Sequence, residues 1–348
     1  MFARTVFQAK SVCRSRTFVC GRRYASSYPL TIKPSPDELS DGRLAPRNLE
    51  KGVRALHEDG LVVIEDAIPH DDLDRLNVRM VKDSLYLQSR GKDMPYNYNV
   101  GNSTYPWTFP IDHSSNKILT NILTVQQDPP PVKDYFPPSI FLNPLATHLT
   151  TTHLGPKPKW TFCSGNSAMP NLNPQRQPVH SDADFAHPTH PFALVVNVPL
   201  IDFTPANGST ELWLGTHTGD LSGLQVQEGA HGDRASGRIR EELLTERKKV
   251  RGPSQPNIKK GSIVVRDLRL WHAGMPNLTD DVRVMLAMIH FAPWYRNPMR
   301  LEFSESVKGV VEAEKGLEVP VDWVTEEEAL DRYLKRGFGN SYDFGQAE

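Results

Sequence analysis

The stretch GSIVVRDLRLWHAGMPNLTDDVRVMLAMIHF (residues 261–291) decides the fold class. Two runs rich in Val, Ile, Leu and Met flank a segment that carries Gly274, Pro276, Asn277, Asp280 and Asp281. Short β-branched runs fit a pleated, half-buried surface, and Gly, Pro, Asn and Asp supply the bends between them. Working outward, KWTFCSGNS (159–167), FALVVNVPLIDF (192–203) and STELWLGT (209–216) repeat the pattern. No long helical period interrupts these runs after residue 180 until the end of the chain. This predicts a mainly β protein with helical support, built as an antiparallel sandwich or barrel rather than from βαβ units.

The support comes first. APRNLEKGVRALHEDG (45–60) reads as a helix with Leu49, Val53 and Leu56 on one side, and LVVIEDAI (61–68) reads as a strand. From Pro69 a second helix is expected, with Asp71, Asp72 and Asp74 favouring its positive end and Leu73, Leu76, Met80 and Leu85 forming its buried stripe. Residues 90–115 hold Tyr96, Tyr98, Tyr105 and Trp107 and read as a loop, over a pocket or pinned to the surface. ILTNILTVQQ (118–127) suits helix or strand, and 139–154 is expected to be helical. TEEEALDRYLKRG (325–337) closes the chain as a helix over about 325–336, with Thr325 and Glu328 as a capping box. Residues 37–348 are read as one domain with its β core at about 158–295.

Residues 1–36 stand apart. They contain Arg4, Lys10, Arg14, Arg16, Arg22, Arg23 and Lys33 and no carboxylate. An Arg- and Ser-rich, acid-poor leader fits a mitochondrial transit peptide, and RRYAS resembles a processing site; a disordered basic tail on a cytoplasmic protein is the alternative. The 348 residues carry 40 basic and 41 acidic side chains, which argues against a nucleic-acid partner. No run is apolar enough to span a membrane. Cys163 is the one cysteine outside the leader, which excludes a disulfide framework and a cysteine-built zinc site.

His180 and Asp182, in HSDADF (180–185), are two positions apart. On a strand such residues share a face, so an imidazole and a carboxylate can approach one metal. His272, where the 261–277 run leaves the core, is the best third ligand. Two histidines and one carboxylate leave half of an octahedral iron open, though zinc takes the same set. Asp184 is read as a turn or supporting residue. Arg283 sits near the start of an apolar run, where its charge needs an anion. A dicarboxylate cosubstrate would supply one; a salt bridge to Asp280 or Asp281, or an exposed strand end, is the alternative.

VHSDAD, NGSTELWLGTH, WHAGMPN and VRVML, in that order, resemble the phytanoyl-CoA dioxygenase family over roughly residues 47–300, and most closely its small-metabolite members. The resemblance implies a double-stranded β-helix (jelly-roll, cupin-like) core and Fe(II)- and 2-oxoglutarate-dependent oxidation of a C–H bond by O2, with release of succinate and CO2. It implies that His180, Asp182 and His272 hold iron and that Arg283 grips the cosubstrate. Gln177, Thr210 and one of Gln126 and Gln127, with Gln127 preferred, are further cosubstrate candidates. An acid at Asp182 argues against halogenation. His217 is read as structural or supporting, and Asp267 and Arg269 as a pair. Trp294 and Tyr295 are read as a core pair rather than a pocket wall. A cupin-like isomerase or hydrolase without 2-oxoglutarate, and a non-catalytic binding barrel, are the rival readings. The expected partner is a small-molecule substrate, and the chain is expected to be a monomer or homodimer.

Overall fold

A computed structural model of the chain describes residues 26–90, 98–99, 124–170, 176–185, 187–218 and 238–335. Its centre is an eight-stranded sheet. In sheet order the strands are β1 (Leu30–Ile32), β2 (Leu61–Ile64), β8 (Ile263–Asp267), β6 (Ala193–Pro199), β10 (Arg283–Phe291), β5 (Lys159–Ala168), β4 (Thr124–Gln127) and β3 (Tyr98–Asn99). The β1–β2 pairing is parallel and all others are antiparallel. The two runs of the 261–291 stretch are not direct neighbours, because β6 lies between β8 and β10.

One face of this sheet is covered by helices. These include α2 (Pro46–Glu58), α3 (His70–Ser89) and α5 (Pro144–Leu154). The contact with α3 is close: a Cβ on Gly165 would stand 2.4 Å from the Met80 methyl. A larger residue there would have to displace that methyl. Sheet and helices bury one continuous core that takes in Leu73, Leu76, Met80, Leu149, Trp160, Val196, Val265, Leu286 and Met288. In β2 all four side chains are buried, because Val62 and Ile64 enter this core while Leu61 and Val63 enter a second one on the opposite face. That explains why the strand is an unbroken apolar run rather than an alternating one.

A short ladder faces the sheet. β7 (Glu211–Leu212) pairs with β9 (His272–Ala273), and single bridges join His180 to both His272 and Arg238, and Leu212 to Ser254. Its inner side meets β2 through Leu61, Val63, Leu212, Leu214 and Leu270. Its outer side packs Val179, Trp213, Trp271 and Ala273 against Leu244 of α6 (Glu241–Val250). The described strands form a mixed sheet with helices and do not close into a barrel.

Several expectations shift. β1 is part of the sheet and α1 (Pro36–Asp41) is capped by Ser35 and Glu38, so the folded region starts before residue 37. The helix expected over 139–154 is two, α4 (Pro138–Phe141) and α5, because Asn143 caps α5 by accepting from the Leu145 and Ala146 amides. The ambiguous 118–127 run yields strand β4, with residues 118–123 outside the described residues. So are the aromatic side chains of the 90–115 loop. The carboxyl-terminal helix, α8 (Glu326–Tyr333), has the expected capping box; between α6 and α8 lie α7 (Lys308–Ala313) and the parallel pair β11 (Leu301–Ser304) and β12 (Val321–Val324). No described helix is long and apolar enough to cross a membrane.

Candidate active site

The ligand group forms where the chain changes sheets. β8 ends at Asp267, residues 268–270 turn through a Leu270 N–H to Asp267 C=O bond, and His272 then enters the ladder. There it pairs with His180 through both backbone bonds, 2.9 and 3.0 Å. This pairing sets the two imidazoles side by side, ring centroids 4.3 Å apart. Asp182, two residues on, brings its Oδ1 to 3.8 Å from His180 Nε2 and 3.6 Å from His272 Nε2. One ligand atom from each of the three residues lies within 4.8 Å of the others.

The ring orientations suit a metal. His180 Nδ1 donates to the Pro178 carbonyl at 2.9 Å, and His272 Nδ1 donates to the Leu270 carbonyl at 3.0 Å. Carbonyl oxygens only accept, so each Nδ1 carries a hydrogen, and Nε2 is the ring nitrogen that each histidine turns toward Asp182. Burial pushes His272 down to about 3, with Arg266 adding to the effect, so this imidazole is neutral at physiological pH. Burial opposes ionisation of Asp182, but the charge and hydrogen bond of Arg266 work against it, and the carboxyl is held well below the usual range. Two imidazoles and a carboxylate are the donor set of a 2-His-1-carboxylate iron site.

Arg283 is 2% exposed. Its Nη2 donates to the Gly208 carbonyl at 2.8 Å and its Nε to the Asn207 carbonyl at 3.3 Å, with the guanidinium carbon 4.5 Å from the centre of the Phe203 ring. It pairs with neither Asp280 nor Asp281. Nη1 is buried without a partner, and burial draws the group down to about 10, so it keeps its charge. Strand register places Arg283 on the face of the sheet that carries Ala287 and its cross-strand neighbour Asn197, and Asn197 contacts Arg266 beside Asp182. The unmatched cation and the ligand group therefore share one interior.

The other candidates divide. Gln177 Oε1 accepts from the Gly274 amide at 2.8 Å, which braces the backbone just past His272. Thr210 lies between Gly208, whose carbonyl takes Arg283, and Leu212, which pairs with His272. Gln127 is not brought to the ligands: its side chain turns to the helix-covered face and donates to the Met80 carbonyl at 3.0 Å. The side chain of Gln126 lies outside the described residues. His217 packs over Gly60 and is held down by burial, and neighbouring Thr216 accepts from the Trp271 amide, next to His272. Asp267 and Arg269 form a fully buried pair with contacts of 2.7 and 2.8 Å. Tyr295 is buried against Phe192 and Phe291, whereas Trp294 is 52% exposed and stacks near His190.

The sequence reading missed Arg266. Its Nη2 donates to Asp182 Oδ2 at 2.5 Å and its Nε to Asn197 Oδ1 at 3.2 Å. Two-residue alternation links it to His272, the one signal that it belongs near the site.

Solved structures with loosely similar backbones include AviO1 from Streptomyces viridochromogenes Tue57, at 17% identity and a TM-score of 0.47, covering 74% of this chain and 100% of that one. EctD from S. alaskensis with bound Fe shares 18% identity at a TM-score of 0.46, over 81% of this chain and 89% of that one. EvdMO1 shares 18% at 0.45, over 70% of this chain and 50% of that one. Such likeness is too loose to assign a fold or an activity. The match that carries weight is a family profile, phytanoyl-CoA dioxygenase (PhyH), which spans residues 56–285 and so includes His180, Asp182, His272 and Arg283. With two thirds of its length matched, the chain belongs to the phytanoyl-CoA dioxygenase family and is a non-haem iron, 2-oxoglutarate-dependent dioxygenase.

Proposed function

We propose that the enzyme hydroxylates or otherwise oxidises a C–H bond of a small organic metabolite, with His180, Asp182 and His272 holding Fe(II) and Arg283 holding 2-oxoglutarate. The observation that carries this reading is the convergence of His180 Nε2, His272 Nε2 and Asp182 Oδ1, with both Nδ1 atoms engaged by carbonyls. When bound, iron and 2-oxoglutarate supply the oxidising power: O2 is consumed, the cosubstrate is split to succinate and CO2, and one oxygen atom is available to the substrate.

The protein's own groups bind and orient. The carbonyls of Pro178 and Leu270 fix the imidazole planes. Arg283, held by the carbonyls of Asn207 and Gly208, keeps one N–H without a partner. A buried guanidinium with an unmatched donor is destabilising by roughly 1–3 kcal/mol unless an acceptor arrives. The distal carboxylate of 2-oxoglutarate is such an acceptor, and its planar form matches the guanidinium fork. Thr210 and Gln177 are assigned supporting roles toward the cosubstrate, Gln177 through the amide nitrogen that its bond to Gly274 leaves available.

The sheet and its facing ladder are consistent with a jelly-roll core. The basic leader supports a mitochondrial address, and the chain is proposed to act as a monomer or homodimer. The decisive experiment supplies the purified protein with Fe(II), O2 and 2-oxoglutarate and screens small metabolites for substrate-dependent succinate. Oxidised product with matching succinate supports the proposal. Product formed without 2-oxoglutarate would replace it with a cosubstrate-independent metal enzyme.

A further inference from the structure

Arg266 is 7% exposed and stands at the end of a chain of hydrogen bonds that crosses three strands. The Leu286 carbonyl on β10 accepts from Asn197 Nδ2 at 3.1 Å; Asn197 Oδ1, on β6, accepts from Arg266 Nε at 3.2 Å; Arg266 Nη2, on β8, donates to Asp182 Oδ2 at 2.5 Å. The two oxygens of Asp182 are thereby divided. Oδ2 belongs to the guanidinium, and Oδ1 is the one that faces both Nε2 atoms.

A carboxylate with both oxygens free can chelate a metal and fill two of its positions. One whose second oxygen is bound to a rigid guanidinium offers a single atom. A merely structural reason for the pair is weak, since an ion pair whose carboxylate side chain is 33% exposed contributes little to a fold. Arg266 is also fixed from behind by Asn197, which is unnecessary for charge balance and useful for aim.

We propose that Arg266 is a positioning residue that holds Asp182 as a one-oxygen ligand, with Asn197 as its brace, so that the positions needed by cosubstrate and O2 stay open. This rests on the iron reading above. Its test needs no turnover: Co(II) alone is titrated into the full chain, by calorimetry and by visible absorption, with circular dichroism as the check on folding. Removing a cation beside the site would by itself tighten metal binding, so a loss measured in Arg266→Met reports lost positioning. The expected result is Co(II) binding about 10- to 100-fold weaker in folded Arg266→Met with an altered spectrum. A smaller loss in the same direction is expected for Asn197→Ala, and partial recovery of affinity and spectrum in Arg266→Lys. Folded Arg266→Met with unchanged or tighter binding and the wild-type spectrum would overturn the inference. If Arg266→Met does not fold, Asn197→Ala decides, and an unchanged affinity and spectrum there overturns it equally. Failure of the wild type itself to bind Co(II) would instead strike at the iron reading.

Discussion

His180 and His272, some ninety residues apart in sequence, are bonded to each other through both backbone amides, at 2.9 and 3.0 Å. The arrangement is therefore templated by main chain, and their Nε2 atoms face Asp182 because strand pairing places them there. Replacing one ligand removes a donor without removing the pairing. His180→Ala, Asp182→Ala and His272→Ala are each expected to stay folded by circular dichroism and to lose bound iron by elemental analysis. Turnover should fall to background in all three. Full iron occupancy in any one of them would count against its role as a ligand.

Arg283 provides the test of the cosubstrate. Removing one member of a buried, hydrogen-bonded charge pair weakens binding by roughly 2–5 kcal/mol, which corresponds to about 30-fold to several thousandfold in affinity. Arg283→Ala is expected to raise the 2-oxoglutarate requirement by that factor while Fe(II) affinity stays near that of the wild type. Arg283→Lys, which keeps the charge but not the fork, should fall between them. Titration of 2-oxoglutarate under anaerobic conditions reads both.

Gly60 sits at the α2–β2 junction with φ of +74°, and a Cβ there would stand 2.4 Å from His217 Nδ1. Gly60→Ala adds a left-handed backbone penalty of about 1–3 kcal/mol to that collision. The midpoint of urea unfolding should drop. Measured against His217→Ala, the same Gly60→Ala change should cost only the backbone part.

Glu38 ties the amino-terminal region together. Its carboxylate accepts from the Ser35 amide at 2.7 Å, the Ala45 amide at 2.6 Å and the Asn48 side chain at 3.0 and 2.9 Å. Burial acts to raise its pKa from the ordinary 4.5, but these donors prevail and it is lowered. A lowered folded-state value means the stabilisation is present above the unfolded value and disappears as pH falls through the folded one. Wild type should therefore exceed Glu38→Gln in stability at neutral pH, and the gap should close on acidification below about 4. Urea melts of the two proteins across that range measure it.

What the sequence disclosed follows physical lines. The convergence of His180, Asp182 and His272 was readable because their side-chain chemistry is rare at the ends of apolar runs, and Arg283 stood out because a charge in such a run demands an explanation. The turn at 268–270 was not readable, since Leu268 and Leu270 carry no Gly or Pro signal, and so one long strand was expected where the chain changes sheets. The break before Pro144 did have a local signal, because the residue before a proline avoids helical geometry. The face taken by Gln127 depended on where α3 packs, a tertiary fact with no trace in the strand itself. Arg266 stayed hidden for a related reason: its partners Asn197 and Asp182 come from segments that only the folded sheet brings together.

The short strand β1 reaches beyond its own three residues. Its parallel pairing with β2 covers the flank of the sheet, and the chain just before it is fastened by Ser254 to the Ser27 carbonyl. A shortened chain starting at residue 37 would strip that cover and leave a fully apolar strand with open amides, an invitation to self-association. Any form of the chain that lacked Leu30–Ile32 would carry that open edge of β2.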